Sequence, residues 1–529
     1  RDVAPSRGLG DVYKRQVLGH SGCGKTSIVE TMAYRAGAIG QIGNIQSGNT
    51  ISDYSAEEIA RQSSINLSIV PIEWDNCKIN LIDVPGTFDF VGETEAALSV
   101  CESALIICPS YAGISAGTKQ AMYKARDKGK IIYINGLDNP NSDYPTKLQQ
   151  LKDTYGKGIA PIQVPIMDNN KMVGYVNVAK MEGRMFENGQ THVAPIPEDM
   201  MDEVLPIKAM IDEAVANTSD ELLEKYLEEE PFTKEEISNA LRQGVTDGSL
   251  IPVLCGTDRI GISIILNSMC AFFDSANHPK NALIVKDLKK DDEKILECNE
   301  DSPTSLFVFK TITDPFVGKT SYFKVTSGTL YTGMTLYNPK EKEDEKIVKI
   351  YQPMGKNLIE VDKLHAGEIG AFTRSTTCHT NDTLCDPRSP ILIPDTEYSK
   401  PYYKKAIVPL GKSNEEKIAN AINRLLEEDP TLVYEYNEET KQQCLSGIGD
   451  IHLDTVLNKL KTRFKVEAKF EDVKIPYRET IKKEVTQRTR YKKQSGGHGQ
   501  FGEVEITFKP SRDYDKPYIF KEEVFGGAV

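Results

Sequence analysis

The octapeptide Gly19-His-Ser-Gly-Cys-Gly-Lys25-Thr26 constrains the fold of this chain more than any other feature. It fits G-x-x-x-x-G-K-[ST], a loop whose backbone N–H groups wrap phosphate oxygens. Lys25 is placed to reach the β- and γ-phosphates, and the Thr26 hydroxyl to ligate Mg²⁺. The helix that follows from Ser27 points its positive end at the anion. Gly19, His20, Ser21, Gly22, Cys23, Gly24, Lys25 and Thr26 are therefore the expected phosphate-binding residues. Such a loop follows a strand, and Val17-Leu18 ends one. The preceding Asp11-Val-Tyr-Lys-Arg-Gln16 lacks the continuous apolar run of a buried parallel strand. Residues 1–16 are read as a leader foreign to the fold, which is expected to begin at Val17.

Three later segments add to the loop. Asn80-Leu-Ile-Asp83-Val-Pro-Gly86 is a short apolar strand ending in D-x-x-G. Asp83 there holds a Mg²⁺-bound water, and the Gly86 N–H meets the γ-phosphate. Lys130-Ile-Ile-Tyr-Ile-Asn135-Gly-Leu-Asp138 is a strand followed by N-x-x-D. Asp138 can accept both N1–H and N2–H₂ of guanine, for which adenine has no matching donors. Leu250-Ile-Pro-Val-Leu-Cys255-Gly-Thr257-Asp258 runs from a strand into a loop where a base edge would sit. With the buried strand Ala104–Cys108, motifs at strand C-termini in this order predict an α/β fold, a doubly wound nucleotide-binding sheet.

The 529 residues together are long enough for roughly three or four domains at about 150 residues each. Residues 155–249 leave the nucleotide core for a hairpin (Ile162–Ile166, Val173–Val178) and acidic helical runs, with a capping box at Thr233 and Glu236. Residues 284–398 alternate apolar and polar between Gly and Asp-Pro turns, a β-barrel pattern. Residues 399–475 read β-α-β-β-α-β, a ferredoxin-like α+β unit. Its first helix has Ser413 and Glu416 as a capping box and Ile418, Ala419, Ile422, Leu425 and Leu426 on one face. The second turns Ile451, Leu453, Val456, Leu457 and Leu460 inward, and His452 at its start reads as structural. Residues 476–529 follow and stop at the turn-like Phe525–Val529.

Charge is uneven. Lys and Arg number 64 against 77 Asp and Glu, a net charge of −13. The one concentrated basic stretch is Lys482, Lys483, Arg488, Arg490, Lys492 and Lys493, with Tyr491, Phe501 and the glycines around His498, a composition suited to RNA phosphate. No apolar run approaches the roughly 18 residues of a membrane-spanning helix. Ten cysteines with no C-x-x-C, and seven histidines with no H-x-x-x-H, argue against a metal site built from side chains alone. Free thiols fit a reducing, cytoplasmic location.

The motif order resembles a translational GTPase, and the wider sequence resembles the elongation factor G family from Val17 to Val529. Asp83-Val-Pro-Gly-Thr-Phe-Asp-Phe90 is similar to the family's D-T-P-G-H-V-D-F. Thr313-Asp-Pro-Phe-Val-Gly-Lys319 and Ser327-Gly-Thr-Leu330 match its second domain, and Leu445-Ser-Gly-Ile-Gly-Asp-Ile-His-Leu453 its third. Pro476-Tyr-Arg-Glu-Thr-Ile481 and Gln494–Gly502 match the opening of its fourth, and Gly48–Ser64 looks more like the divergent paralogues. The resemblance implies GTP/GDP and Mg²⁺ as ligands, with switch I at about Gly48–Ser68 and switch II at Asp83–Gly92. It implies a ribosomal partner, rRNA at the basic end and stalk proteins at the acidic insert, and a monomeric factor driving translocation with GTP hydrolysis. Domain boundaries follow as 17–283, 284–398, 399–475 and 476–529, the last implied by the resemblance to be the start of a further α+β domain.

Four departures gather on the nucleotide. The family's R-G-I-T is Arg61-Gln-Ser-Ser64, which keeps a hydroxyl for the cation at Ser64. Its water-orienting catalytic His is Thr87, beside Gly86; a side chain with no imidazole predicts slower hydrolysis. Its N-K-x-D is Asn135-Gly136-Leu-Asp138, where the lost Lys covered base and ribose. Asp258 replaces an Ala near guanine O6; aimed at that acceptor it repels, turned to solvent it does not. A ribosome-protection or release-factor relative, and a nucleotide-gated ribosome-binding module with little hydrolysis, stay open as alternatives. A P-loop kinase explains neither the barrel nor the ferredoxin-like sequence.

Overall fold

The structure, a computed structural model, describes residues 12–187, 190–314, 318–375, 377–411, 415–477, 479–494, 496–497, 499–513, 516 and 518–524. Residues 1–11, 315–317, Ser413, His498 and Phe525–Val529, on which parts of the sequence reading fall, lie outside the described residues.

Runs of Ile, Leu and Val make the first sheet. β1 (Val12–Gly19), β2 (Ser68–Trp74), β3 (Cys77–Asp83), β4 (Ser103–Pro109), β5 (Gly129–Asn135), β6 (Ile159–Pro161) and a later strand Ile251–Gly256 form seven strands. Their order is β2-β3-β1-β4-β5-(251–256)-β6, with only β2 antiparallel to its neighbour. Every residue of β4 is buried, as expected of a strand covered by helices on both faces. The helices are α1 (Lys25–Arg35), α3 (Val91–Val100), α4 (Ala116–Lys124), α5 (Tyr144–Tyr155) and, after the insert, Ile262–Phe272; a short α2 (Ala56–Arg61) lies in switch I.

The first strand reaches back beyond Val17. β1 begins at Val12, and its backbone pairs with β3 from Val12↔Lys78 to Val17↔Asp83. Ladder bonds are main-chain bonds, so a polar stretch can complete a strand whose apolar pattern is short. Gln16 is fully buried, its Nε2 donating to the Thr94 carbonyl at 3.0 Å.

The insert holds a four-stranded antiparallel sheet, with β7 (Gln163–Asp168), β8 (Lys171–Asn177), β9 (Glu182–Glu187) and β10 (Gln190–Ala194), where the sequence suggested one hairpin. Helices α6 (Met201–Ala216), α7 (Asp220–Leu227) and α8 (Lys234–Asp247) follow. The capping box forms: Thr233 N–H donates to Glu236 Oε2 at 2.7 Å and Glu236 N–H to Thr233 Oγ1 at 3.2 Å. Beyond a three-stranded sheet (Leu283–Asp287, Asp292–Leu296 and Ile391–Leu392), the alternating stretch becomes an eight-stranded antiparallel sheet and a two-stranded ribbon. Both share one core that includes Leu306, Val308, Phe323, Leu330 and Leu364.

The third region has strands Tyr403–Pro409, Val433–Asn437, Gln442–Gly447 and Ala468–Glu471, with two helices between them, Glu415–Glu428 and Asp450–Thr462. Numbered within the unit, the strand order is 2-3-1-4, the order of a ferredoxin-like sheet. Its core takes Ile418, Ala421, Ile422, Leu425, Leu453, Val456 and Leu460, while Ala419, Leu426, Ile451 and Leu457 are only partly covered.

By internal packing the chain divides into two units. The first runs to Glu435 and includes Gln443–Asp472; the second is Tyr436–Gln442 with Val473–Val529. The second unit contains an antiparallel hairpin, Val485–Gln494 with Gly499–Phe508. Part of its basic charge is matched within the hairpin: Arg488 Nε donates to Glu503 Oε1 at 2.8 Å, and Arg490 lies 5.0 Å from the Phe501 ring centre.

Candidate nucleotide-binding site

The phosphate loop joins the end of β1 to the start of α1. Gly24 adopts φ +93° as the residue capping α1, a conformation that favours glycine. A Cβ there would lie 2.5 Å from Asn135 Nδ2. Lys25 arches back over the loop, its Nζ donating to the carbonyls of Gly19 at 3.0 Å and His20 at 3.1 Å. Gly86, the glycine of D-x-x-G, passes so close that a Cβ on it would stand 2.6 Å from the Ser21 N. The His20 ring packs near Phe88, centroids 6.4 Å apart.

Four oxygen-bearing side chains converge beside Lys25. Thr26 Oγ1 and Ser64 Oγ are 3.3 Å apart, so switch I meets the phosphate loop at the expected hydroxyl. Asp83 and Asp53 are both buried, and among the described residues none of their carboxylate oxygens has a hydrogen-bond partner of ordinary geometry. Burial pushes the Asp83 carboxyl up, against the pull of the Lys25 ammonium and the Thr26 and Ser52 hydroxyls. Burial, then the facing charges of Asp83 and Glu58, pushes Asp53 up as well. Two orphaned buried carboxylates and two hydroxyls form an all-oxygen set that fits a hard divalent cation such as Mg²⁺. The structure brings together Thr26, Ser64 and Asp83, to which the sequence pointed, and sets beside them Asp53, which stands in no spaced motif and reaches this place only through the fold.

At the base end the strand tips are tied together. Gly136 and Leu137 N–H both donate to the Gly256 carbonyl at 3.1 Å. Asn135 Nδ2 donates to the Cys23 carbonyl at 2.9 Å, so this amide braces the phosphate loop. Asp138 is exposed. Thr257 shapes its own turn, its Oγ1 accepting from Arg259 N at 3.2 Å and Ile260 N at 3.0 Å. Asp258 is partly exposed, its Oδ2 3.9 Å from Arg259 Nε. Thr87 is half-buried and opens the turn Phe88–Phe90, but its side chain does not cap that turn. It lines a small cavity with Leu18, Gly86, Gln120 and Lys124.

Comparison with known proteins decides the family. The model for the elongation factor Tu GTP binding domain matches residues 11–271, starting ahead of Val17. Those for elongation factor G domain 2, domain III and domain IV match 303–387, 398–472 and 473–529. Elongation factor G of Mycoplasma pneumoniae (strain ATCC 29342 / M129) is 30% identical over 521 residues, covering 97% of this chain and 75% of that protein. This chain belongs to the elongation factor G family. A crystal structure of a Thermus thermophilus protein superposes with a TM-score of 0.83 at 31% identity, covering 95% of this chain and 73% of the other. As a member of the family it is a GTP-binding translation elongation factor.

Switch II carries the site's contacts outward. The Asp89 carboxylate accepts the His452 N–H at 3.1 Å, and the Phe90 and His452 rings meet edge to face at 6.1 Å. His452 is buried; its Nδ1 accepts Ile448 N–H at 3.2 Å, so Nε2 carries the proton donated to Asp429 Oδ2 at 2.9 Å. Despite burial, this bond and the nearby Lys310 hold the Asp429 carboxyl well below its ordinary value. Glu93, on α3, pairs with the buried Lys310 of the second domain and accepts Leu67 N–H at 2.8 Å. Neither Glu93 nor Lys310 stands in a motif, so the sequence offered no signal for this junction.

Proposed function

We propose that the chain binds GTP together with Mg²⁺ and works on the ribosome as a slowly hydrolysing elongation factor G paralogue. The observation that carries this reading is the convergence of Thr26, Ser64, Asp83 and Asp53 beside Lys25. Thr26 and Ser64 would ligate the cation, and Asp83, with Asp53, would hold its waters. Bound there, Mg²⁺ supplies charge stabilisation to the phosphate oxygens. Lys25 binds the phosphates, the loop from Gly19 to Gly24 cradles them, and Gly86 N–H senses the γ-phosphate. Asp138 selects guanine, with Asn135 and Thr257 shaping the pocket. Domain boundaries at about residues 283, 398 and 475 accompany the reading. So do a monomeric, cytoplasmic protein, stalk proteins at the acidic insert, and rRNA at the basic hairpin.

Thr87 favours a second reading, a nucleotide-gated ribosome-binding module with weak turnover. GTP and ATP affinities at fixed Mg²⁺, followed by GTP turnover with ribosomes, test both. Preference for GTP is expected, and equal binding of the two nucleotides removes the guanine assignment. Thr87→His is expected to raise ribosome-stimulated turnover by roughly 10²-fold, the scale of one positioned catalytic group. No gain, or a wild-type rate equal to that of an ordinary elongation factor G, defeats the slow-hydrolysis reading.

A further inference from the structure

Three buried carboxylates hold switch I by its backbone. Glu30, on the same helix as Lys25 and Thr26, accepts Gly43 N–H at 2.7 Å and Ile51 N–H at 2.8 Å. Glu93 takes Leu67 N–H at the far end. Glu58, on α2, lies between them and is 1% exposed.

The two oxygens of Glu58 do different work. Oε2 accepts Ser55 N–H at 3.1 Å, and Ser55 Oγ accepts Glu58 N–H at 3.2 Å, a capping box that starts α2. Oε1 reaches past the end of the helix and accepts Ile65 N–H at 3.1 Å and Asn66 N–H at 3.0 Å. The Glu58 carbonyl also accepts Ser63 N–H at 3.3 Å. One residue thus closes the backbone on both sides of Ser64, whose Oγ faces Thr26 Oγ1. A helix cap needs only Oε2. The bonds at Oε1 fix the segment that delivers the hydroxyl, and bonds to a charged acceptor are stronger than neutral ones.

We infer that Glu58 is a positioning residue for the Ser64 hydroxyl, holding switch I so that this oxygen meets the cation of a bound triphosphate. The inference rests on the reading of Ser64 as a cation ligand. A group that positions Ser64 affects the triphosphate state more than the diphosphate state, whereas a purely structural group affects both alike.

The test compares affinities for guanylyl imidodiphosphate and GDP, with Mg²⁺, in the full chain. Glu58→Ala and Ser64→Ala are each expected to lower the triphosphate-to-diphosphate affinity ratio roughly ten-fold, the scale of one charge-assisted hydrogen bond. Ser55→Ala removes only the hydroxyl of the cap and is expected to keep the wild-type ratio. Faster hydrogen exchange at the amides of Ile65 and Asn66 in Glu58→Ala reports the released segment without any nucleotide. If Glu58→Ala does not fold, Glu58→Asp keeps the charge but falls short of Ile65, and the same loss is expected. A wild-type ratio in the Glu58 variants, with the ratio lost in Ser64→Ala, overturns the positioning role and leaves the ligand reading standing. A wild-type ratio in Ser64→Ala overturns the ligand reading, and the positioning role falls with it.

Discussion

Gly136, where the family has Lys, adopts φ +83°. The nearest atom to a Cβ built there is 3.6 Å away, on Tyr111, so a side chain finds space but a strained backbone. Gly136→Lys is therefore expected to destabilise the nucleotide-free protein by about 1 kcal/mol, the cost of a left-handed non-glycine residue, while tightening GTP binding. Thermal unfolding and nucleotide titration of the one variant read both effects. At this scale legibility depended on spacing. Lys25, Thr26 and Asp83 sit in fixed motifs and stand out in the sequence. Asp53 and Glu58 are carboxylates in a polar stretch, where the ordinary reading is a solvated surface. Only the fold buries them beside Thr26 and Ser64. Asn135 opens N-x-x-D, and the structure shows its amide donating to the Cys23 carbonyl of the phosphate loop.

Elements were legible where side chains announce their ends. Thr233 and Glu236 mark the start of α8 in the sequence, and both reciprocal bonds form. The Thr233 backbone bond, then the Lys225 ammonium and the Thr233 hydroxyl, hold the Glu236 carboxyl down at about 2, below its ordinary 4.5. A carboxylate depressed in the folded state stabilises above its unfolded value and loses that contribution as pH falls through the folded one. Hydrogen-exchange protection of the first turn of α8 should thus be constant above about pH 5 and decline between about pH 4.5 and pH 2. Thr233→Ala should weaken the same turn by about 1 kcal/mol at neutral pH. Elements that contradict the simple signals were missed. α6 contains Pro206, which reads as a breaker, and β9 carries Gly183, which reads as a turn. β1 reads as short because Lys14, Arg15 and Gln16 interrupt its apolar pattern, although its backbone pairs with β3 from Val12 to Val17.

On the scale of the whole first unit, the order of domains follows from their motifs, but the bonds between them do not. Lys310 and Glu93 are far apart in sequence and both buried where the first three regions meet. Lys310 Nζ also donates to the Glu428 carbonyl at 3.3 Å, and Thr313 N–H to the Glu428 carboxylate at 2.8 Å. Burial alone would lower the Lys310 pKa, but Glu93, Asp429 and Glu428 more than offset it and raise it above 10.5. A lysine raised in the folded state stabilises below its unfolded value and loses that contribution as pH rises through the folded one. The contribution of Lys310 should therefore persist through neutral pH and be lost in alkali above about pH 10.5. Removing one partner leaves a buried charge alone, so Glu93→Gln or Lys310→Met should each destabilise by about 3–5 kcal/mol. The double variant buries no unpaired charge and should lose less than the sum of the two. Denaturant unfolding of the four proteins measures the coupling. Additive losses would mean that the pair does not bind the nucleotide domain to the second domain.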